Sequence, residues 1–455
     1  MTQTKIVVLD DDPTGSQTVH SCLLLTRWDV DTLKQGLQDA APLFFVLTNT
    51  RGMSADKAAA VTGEVCSNLR QALDALAQAG TPVNPVLVSR SDSTLRGHYP
   101  VETDVIAEQL GPFDAHFLVP AFFEGGRITR DSTHYLLVDD KPVPVHETEF
   151  ARDSVFGYTH SYLPDYVEEK TGGRIRAGQV ERFLLDEVRT DVSERLMALN
   201  ANRCCVVDAE CQADLDRFCS QLMQCAAAGK RYLFRSAASL LTALAQLPPQ
   251  PVMADAMHKV VRNGNPGAVI VGSHVRKTTE QLGELLAMPG IEGIEVDVDR
   301  IDTEPGRLLD EIIGRARWAH QSRLTSVIYT SRTEKVFADQ ATRLAFGERV
   351  SALLMDVVRH LPERLGFLIS KGGITSNDVL SSGLALPAAR VLGQILPGCS
   401  VVRCPDDHPR YPGMPVVIFP GNVGDELALA RAWARLAGVP EPLKKVAAHA
   451  ATAVR

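Results

Sequence analysis

Lys5-Ile6-Val7-Val8-Leu9-Asp10-Asp11-Asp12-Pro13-Thr14-Gly15-Ser16 opens the chain, and the rest is read outward from it. The run ending at Leu9 is apolar and rich in β-branched residues, the pattern of a strand buried on both faces. Three carboxylates follow at once, and Pro13 and Gly15 then force a turn. Adjacent aspartates repel one another, so such a cluster implies a cation, the donors of a polar substrate, or a proton to accept. In open α/β sheets ligands gather beyond the carboxyl ends of the strands, where this cluster falls.

The same rhythm continues downstream. Short apolar runs at 21–26, 44–48, 86–89 and 117–120 predict strands, and 54–79, rich in Ala, Leu and Glu with Ser54 placed as a cap, predicts a helix. Strand, helix, strand implies a parallel sheet. Each strand ends in a polar cluster: Asn49-Thr50-Arg51, Arg90-Ser91-Asp92-Ser93-Thr94-Leu95-Arg96-Gly97, and 121–127. Residues 126–145 read as a β-hairpin excursion, and 147–173 as a wrapping segment or lid. Further strands are expected at 204–207 and 232–234 around a helix at 212–228. Leu247-Pro248-Pro249-Gln250-Pro251 interrupts regular structure and marks a boundary, giving a substrate domain over 1–250 and a nucleotide domain over 262–455. Beyond it strands are expected at 268–271, 294–298, 326–329, 367–369 and 416–419. The expected fold is α/β, with two domains that each carry a mostly parallel sheet flanked by helices, and an active site in the cleft between them.

The 455 residues, 45% hydrophobic and 22% charged, suit a globular protein of two or three domains. A net charge of -8 argues against a general nucleic-acid binder. Nine cysteines without a C-x-x-C pair read as reduced cytosolic thiols, and neither a signal peptide nor a bilayer-spanning run is expected.

Three glycine turns in the second half, Gly272-Ser273, Lys371-Gly372-Gly373-Ile374-Thr375 and Pro420-Gly421-Asn422, each follow a predicted strand and lead into a helix. Such turns let the backbone approach a phosphate. None matches a P-loop or a dinucleotide fingerprint. In the first half the candidates are Asp11, Asp12, Thr14, Arg51, Asp92, Ser93 and Arg96. Arg51 and Arg96 suit a carboxylate or phosphate, which an arginine grips bidentately. One aspartate suits a base for a hydroxyl, or a magnesium ligand.

The runs Asp11-Asp12-Pro13-Thr14-Gly15, Asp92-Ser93-Thr94-Leu95-Arg96-Gly97, Pro120-Ala121-Phe122 through Gly126-Arg127, Glu149-Phe150-Ala151-Arg152-Asp153, Gly272-Ser273, Gly372-Gly373-Ile374-Thr375 and Gly421-Asn422-Val423-Gly424-Asp425 resemble the four-carbon acid sugar kinase family. The resemblance covers nearly the whole chain in order. It departs at Pro13, where many members have Phe, and at Ile374, where an acidic residue is common. It implies an N-terminal domain for a sugar acid such as threonate, erythronate or 3-oxo-tetronate, a C-terminal domain for ATP with magnesium, and γ-phosphoryl transfer across the cleft. It puts Asp11, Asp12, Arg51, Asp92 and Arg96 on the acid side. Ser273, Gly372, Gly373, Ile374, Thr375 and Gly421 fall on the nucleotide side, beside Gly272 and Asn422 of the same turns. Asp12 or Asp11 is the expected base, and Arg51 and Arg96 are expected to fix the carboxylate. A homodimer is compatible with this reading, whereas nucleic-acid and membrane partners are not expected.

One rival remains. Asp10-x-Asp12-x-Thr14 after an apolar strand also fits the first motif of haloacid-dehalogenase-like phosphatases, with Asp10 as nucleophile, and Thr48-Asn49 imitates their second.

Overall fold

A computed structural model of the protein describes residues 3–332, 335, 340–421 and 423–443. The first half contributes β1 (Gln3–Asp10), β2 (Leu23–Leu25), β3 (Leu43–Leu47), β4 (Val83–Arg90) and β5 (Ala115–Val119). A small meander follows, β6 (Arg127–Arg130), β7 (Thr133–Val138) and β8 (Lys141–Pro144), and then β9 (Glu181–Phe183), β10 (Arg203–Val207) and β11 (Tyr232–Ser236). The second half adds β12 (Ala268–Val271), β13 (Ile291–Val296), β14 (Thr325–Thr330), β15 (Leu368–Lys371), β16 (Ala388–Leu396), β17 (Cys399–Arg403) and β18 (Pro415–Phe419).

Apart from the meander β6-β7-β8, which is a sheet of its own, these strands form one sheet of 15, in the order β13-β14-β12-β15-β18-β17-β16-β2-β3-β1-β4-β11-β5-β10-β9. Both ends are parallel blocks, as the strand–helix rhythm predicts. The two blocks are joined edge to edge, because β17 pairs antiparallel with β18 and β16, and β16 pairs antiparallel with β2. No strand was expected between 369 and 416. Burial along β16 alternates from Arg390 to Ile395, but Gly393 fills a buried position and Leu392 a half-buried one, so the residue types do not announce the strand.

Central strands are buried on both faces, as parallel sheets flanked by helices require: Ile6, Val7 and Val8 are at most 2% exposed. The helix Ala55–Gln78 starts where Ser54 accepts from the Lys57 amide (3.4 Å). Its Ala58, Val65, Cys66, Leu69, Ala72 and Leu76 are buried at helical spacing. The expected hairpin at 126–145 has a third strand, β8. The expected lid resolves into short 3₁₀ turns and the helix Leu163–Lys170. It clamps the loop after β4, where Tyr158 donates to the Thr94 carbonyl (2.7 Å) and Tyr166 to the Leu95 carbonyl (2.8 Å). Among the described residues no cysteine is disulfide-bonded and no helix is long and apolar enough to cross a membrane.

Candidate active site

The carboxyl ends of β1 and β4 and the start of β6 form one wall of a cleft of about 650 Å³, and the turns after β15 and β18 form the other. On the first wall the three aspartates part company. Asp10 is fully buried, facing Arg90 (3.3 Å), and its Oδ2 has no partner. Burial, helped by the neighbouring Asp11 and Asp12 charges and opposed by Arg90, pushes its carboxyl up to about 7. Asp11 is buried too, accepting from Arg51 Nη2 (2.5 Å) and Ser91 Oγ (2.6 Å). Asp12 alone reaches the cleft. It accepts from the Thr14 amide (2.8 Å) and hydroxyl (2.5 Å), with Arg51 Nη1 at 3.5 Å. Burial pushes its carboxyl up, but the Arg51 and Arg90 charges and the Thr14 bonds hold it below the usual range, so it is ionised.

The loop after β4 supplies the next groups. Asp92 accepts from Arg96 Nε (2.8 Å) and from the Thr94 hydroxyl. Burial opposes its ionisation, yet the Arg51 and Arg96 charges hold it well below the carboxylate range. Arg96 also lies 3.7 Å from Asp153 and 4.9 Å over the Phe150 ring. His134 on β7 holds the Ser93 carbonyl (2.8 Å), and burial lowers its pKa to about 4, so the ring is neutral and donates from Nε2. Gly97 adopts φ +119°, and a Cβ there would overlap Ser91 Oγ and lie 3.0 Å from Asp11 Oδ2. Only glycine lets this loop fold against the Asp11 carboxylate.

On the opposite wall the three glycine turns converge. Gly372 has φ +113°, and a Cβ on it would sit 3.1 Å from Ser273 Cβ. A Cβ on Gly421 would lie 3.8 Å from Ser273 Oγ, and one on Gly373 would lie 3.4 Å from Asp12 Oδ2. The acid cluster and the middle glycine turn therefore face each other directly. Behind the turns lies a second, mainly apolar pocket of about 490 Å³, lined by Val350, Leu354 and Met355 among others and sharing Gly373 and Gly421 with the cleft. Lys371, fully buried at the end of β15, ties two turns together by donating to the carbonyls of Pro420 (2.6 Å) and Gly421 (3.2 Å).

Residues 6–244 match the family model of a sugar-binding N-terminal domain, and residues 268–429 that of a nucleotide-binding C-terminal domain. The chain belongs to the four-carbon acid sugar kinase family. It is 30% identical over 219 residues to a D-erythronate kinase of Heliobacterium modesticaldum, 46% of each chain. It is 27% identical over 365 residues to a D-threonate kinase of Cupriavidus necator, 76% of this chain and 79% of that enzyme. The chain thus spans under half the length of the first relative and about four-fifths of the second. A crystal structure of a Salmonella typhimurium LT2 protein shares the fold with a TM-score of 0.68 at 20% identity, covering 95% of this chain and 98% of that one. A Haemophilus influenzae protein does so with a TM-score of 0.64 at 16% identity, covering 94% and 100%.

Asp12, Thr14, Arg51, Asp92, Ser93 and Arg96 line the cleft. Asp11 does not, being 1% exposed and spent on Arg51 and Ser91. Gly272, Ser273, Gly372, Ile374 and Thr375 line the apolar pocket, and Gly373 and Gly421 line both. Asn422 lies outside the described residues. The phosphatase reading needs Asp10 as nucleophile, but its carboxylate is fully buried and packed so closely on Gly15 that a Cβ there would overlap it. No substrate phosphorus reaches such an oxygen. Sequence reading missed Lys371, the apolar face of the helix Gln340–His360, and Arg127 as a cleft residue. Apolar helix positions look like core, and an arginine opening a hairpin looks like surface, until the tertiary fold exposes them to a cavity.

Proposed function

We propose that this chain is an ATP-dependent kinase phosphorylating a hydroxyl of a small, four-carbon sugar acid such as threonate, erythronate or 3-oxo-tetronate. In this reading residues 1–250 hold the acid and 262–455 hold the nucleotide. The adenosine occupies the apolar pocket beside Leu354 and Met355, and the phosphates cross the Gly373 and Gly421 turns, where the two cavities meet. Small-residue turns leave main-chain N–H groups free to meet phosphate oxygens. The observation that carries the reading is the 3.4 Å approach between Asp12 Oδ2 and the Cβ position of Gly373, which puts an ionised carboxylate opposite the phosphate turn.

Phosphoryl transfer asks a protein mainly for positioning and charge neutralisation. Thr14 and Arg51 fix Asp12, and Asp12 orients the attacking hydroxyl and takes its proton as the bond to phosphorus forms. Its lowered pKa suits late proton transfer, when the hydroxyl has become acidic. Magnesium would fit as an ion carried in by the phosphates, with the cleft carboxylates Asp12 on one wall and Asp425 on the other placed to hold it, and it would supply charge neutralisation there. Among the described residues no three His, Cys, Asp or Glu side chains group to hold it alone.

The test is ADP release with Mg-ATP and each of threonate, erythronate and their 3-oxo forms. Asp12→Asn is expected to keep nucleotide affinity within about twofold and to lower kcat by roughly 10²-fold or more. Unchanged turnover removes Asp12 from the role, and hydrolysis of a phosphate ester without nucleotide restores the phosphatase.

A further inference from the structure

The arginines that line the cleft are unevenly paired. Arg51 gives Nε and Nη2 to Asp11 and has Nη1 beside Asp12. Arg90 faces Asp10, Arg96 is held by Asp92 with Asp153 nearby, and Arg431 makes two contacts to Asp425. Arg127 stands apart. Among the described residues no carboxylate comes within 4.0 Å of it, its Nη1 donates only to the Gly125 carbonyl, and its Nε is buried without a partner.

The local fold holds that guanidinium in place. Arg127 and Phe122 exchange backbone bonds (2.8 and 3.0 Å), and the Arg127 group lies 5.9 Å from the Phe122 ring. Gly125 leaves room for it, since a Cβ there would overlap Arg127 Nη1 and come 2.6 Å from the Phe122 ring. A guanidinium stays charged at any relevant pH, and a partly buried charge without a counter-ion is unfavourable. Asp92 and Glu149 attract it only from beyond contact distance, so the guanidinium is left able to close on an anion from outside the chain. Arg127 opens β6, beside Arg96 and Ser93 and on the opposite wall from the glycine turns, so that anion belongs to the sugar acid rather than to the nucleotide.

Resting on the kinase reading above, the geometry points to Arg127 as the residue that takes the substrate carboxylate and so selects a sugar acid over the matching neutral polyol. Arg51 and Arg96 then keep Asp12 and Asp92 in position instead of holding the carboxylate themselves.

The experiment compares kcat/KM for threonate with that for threitol, and erythronate with erythritol, in wild type, Arg127→Met and Arg127→Lys. Calorimetric binding of each acid without nucleotide is measured in parallel. Removing a charge-assisted bond is expected to raise KM for the acid roughly 10- to 100-fold and to shrink the acid-over-polyol preference by a similar factor. KM for ATP should stay within about twofold, and Arg127→Lys should recover part of the preference. Arg127→Met with the wild-type preference and wild-type acid binding overturns the inference while leaving the kinase intact. Wild type that releases ADP with no sugar acid overturns the kinase reading and this inference with it. Should both variants fail to fold, wild type binding threitol as tightly as threonate overturns the inference directly.

Discussion

Asp10, Asp11 and Asp12 are consecutive, yet the turn after β1 sends them into three environments: a buried pair with Arg90, a structural clamp on Arg51, and the open cleft. On the opposite wall a buried charge has measurable consequences. Lys371 is fully buried among carbonyls, and burial, with Lys277 adding to it and Cys399 opposing, lowers its pKa from 10.5 to about 7. The unfolded chain keeps that proton until about pH 10.5 while the folded chain sheds it near 7, so the unfolded state binds more protons in between. Lys371 therefore penalises folding fully below pH 7, and stability rises as pH climbs through that window. Comparing melting temperatures of wild type and Lys371→Met from pH 7 to 10 should show a slope in the first that flattens in the second. With the phosphates across the Pro420–Gly421 turn as proposed above, their charge would favour the protonated ammonium, so ATP binding near pH 8 should take up protons. Binding enthalpies that do not change with buffer ionisation enthalpy, or that change equally in Lys371→Met, contradict this.

At the level of elements, the loop from Asp92 to Gly97 is shaped by a single backbone requirement. Gly97→Ala would bring a Cβ against Ser91 Oγ, 2.7 Å from Arg235 and 3.0 Å from Asp11, at φ +119°. Gly80, at φ +79°, has nothing within 4 Å of its Cβ position. Gly80→Ala should therefore show only the backbone penalty, about 1 kcal/mol, while Gly97→Ala loses roughly 2–4 kcal/mol and most of its activity. Urea unfolding of the two variants checks the difference, and equal losses would mean that the Asp11 clamp does not depend on the loop. Elements also mark where sequence reading stops. The helix from Ala55 was legible because Ser54 and the apolar spacing are local signals, whereas β16 was not, because Gly393 fills a buried position and Leu392 a half-buried one. The unpartnered state of Arg127 belongs to neither kind, since the lack of a carboxylate nearby is a property of the assembled wall.

For the whole molecule, the joined sheet matters most. Besides the β16–β2 ladder, Arg390 grips Asp39 (2.9 and 2.6 Å), Ser21 N donates to the Val391 carbonyl (2.6 Å), and one hydrophobic core includes Ile6 and Phe117 together with Ile270 and Ile418. The halves should behave as one body. A chain cut within Leu247-Pro248-Pro249-Gln250-Pro251 is expected to elute as a single species, with both fragments retained through size exclusion. Fragments that separate would show that the strand pairing contributes little. The amino-acid sequence by itself determined the parallel blocks, the glycine turns and the placing of charge at strand ends. Strand period and access to positive φ depend on each residue and its immediate neighbours. Only the tertiary structure decided which aspartate faces the cleft, which arginine lacks a partner and how the two blocks join. Those outcomes depend on groups far apart in the chain, Arg51 and Asp11 or Arg390 and Asp39, whose burial and ion pairing exist only once the sheet brings them together.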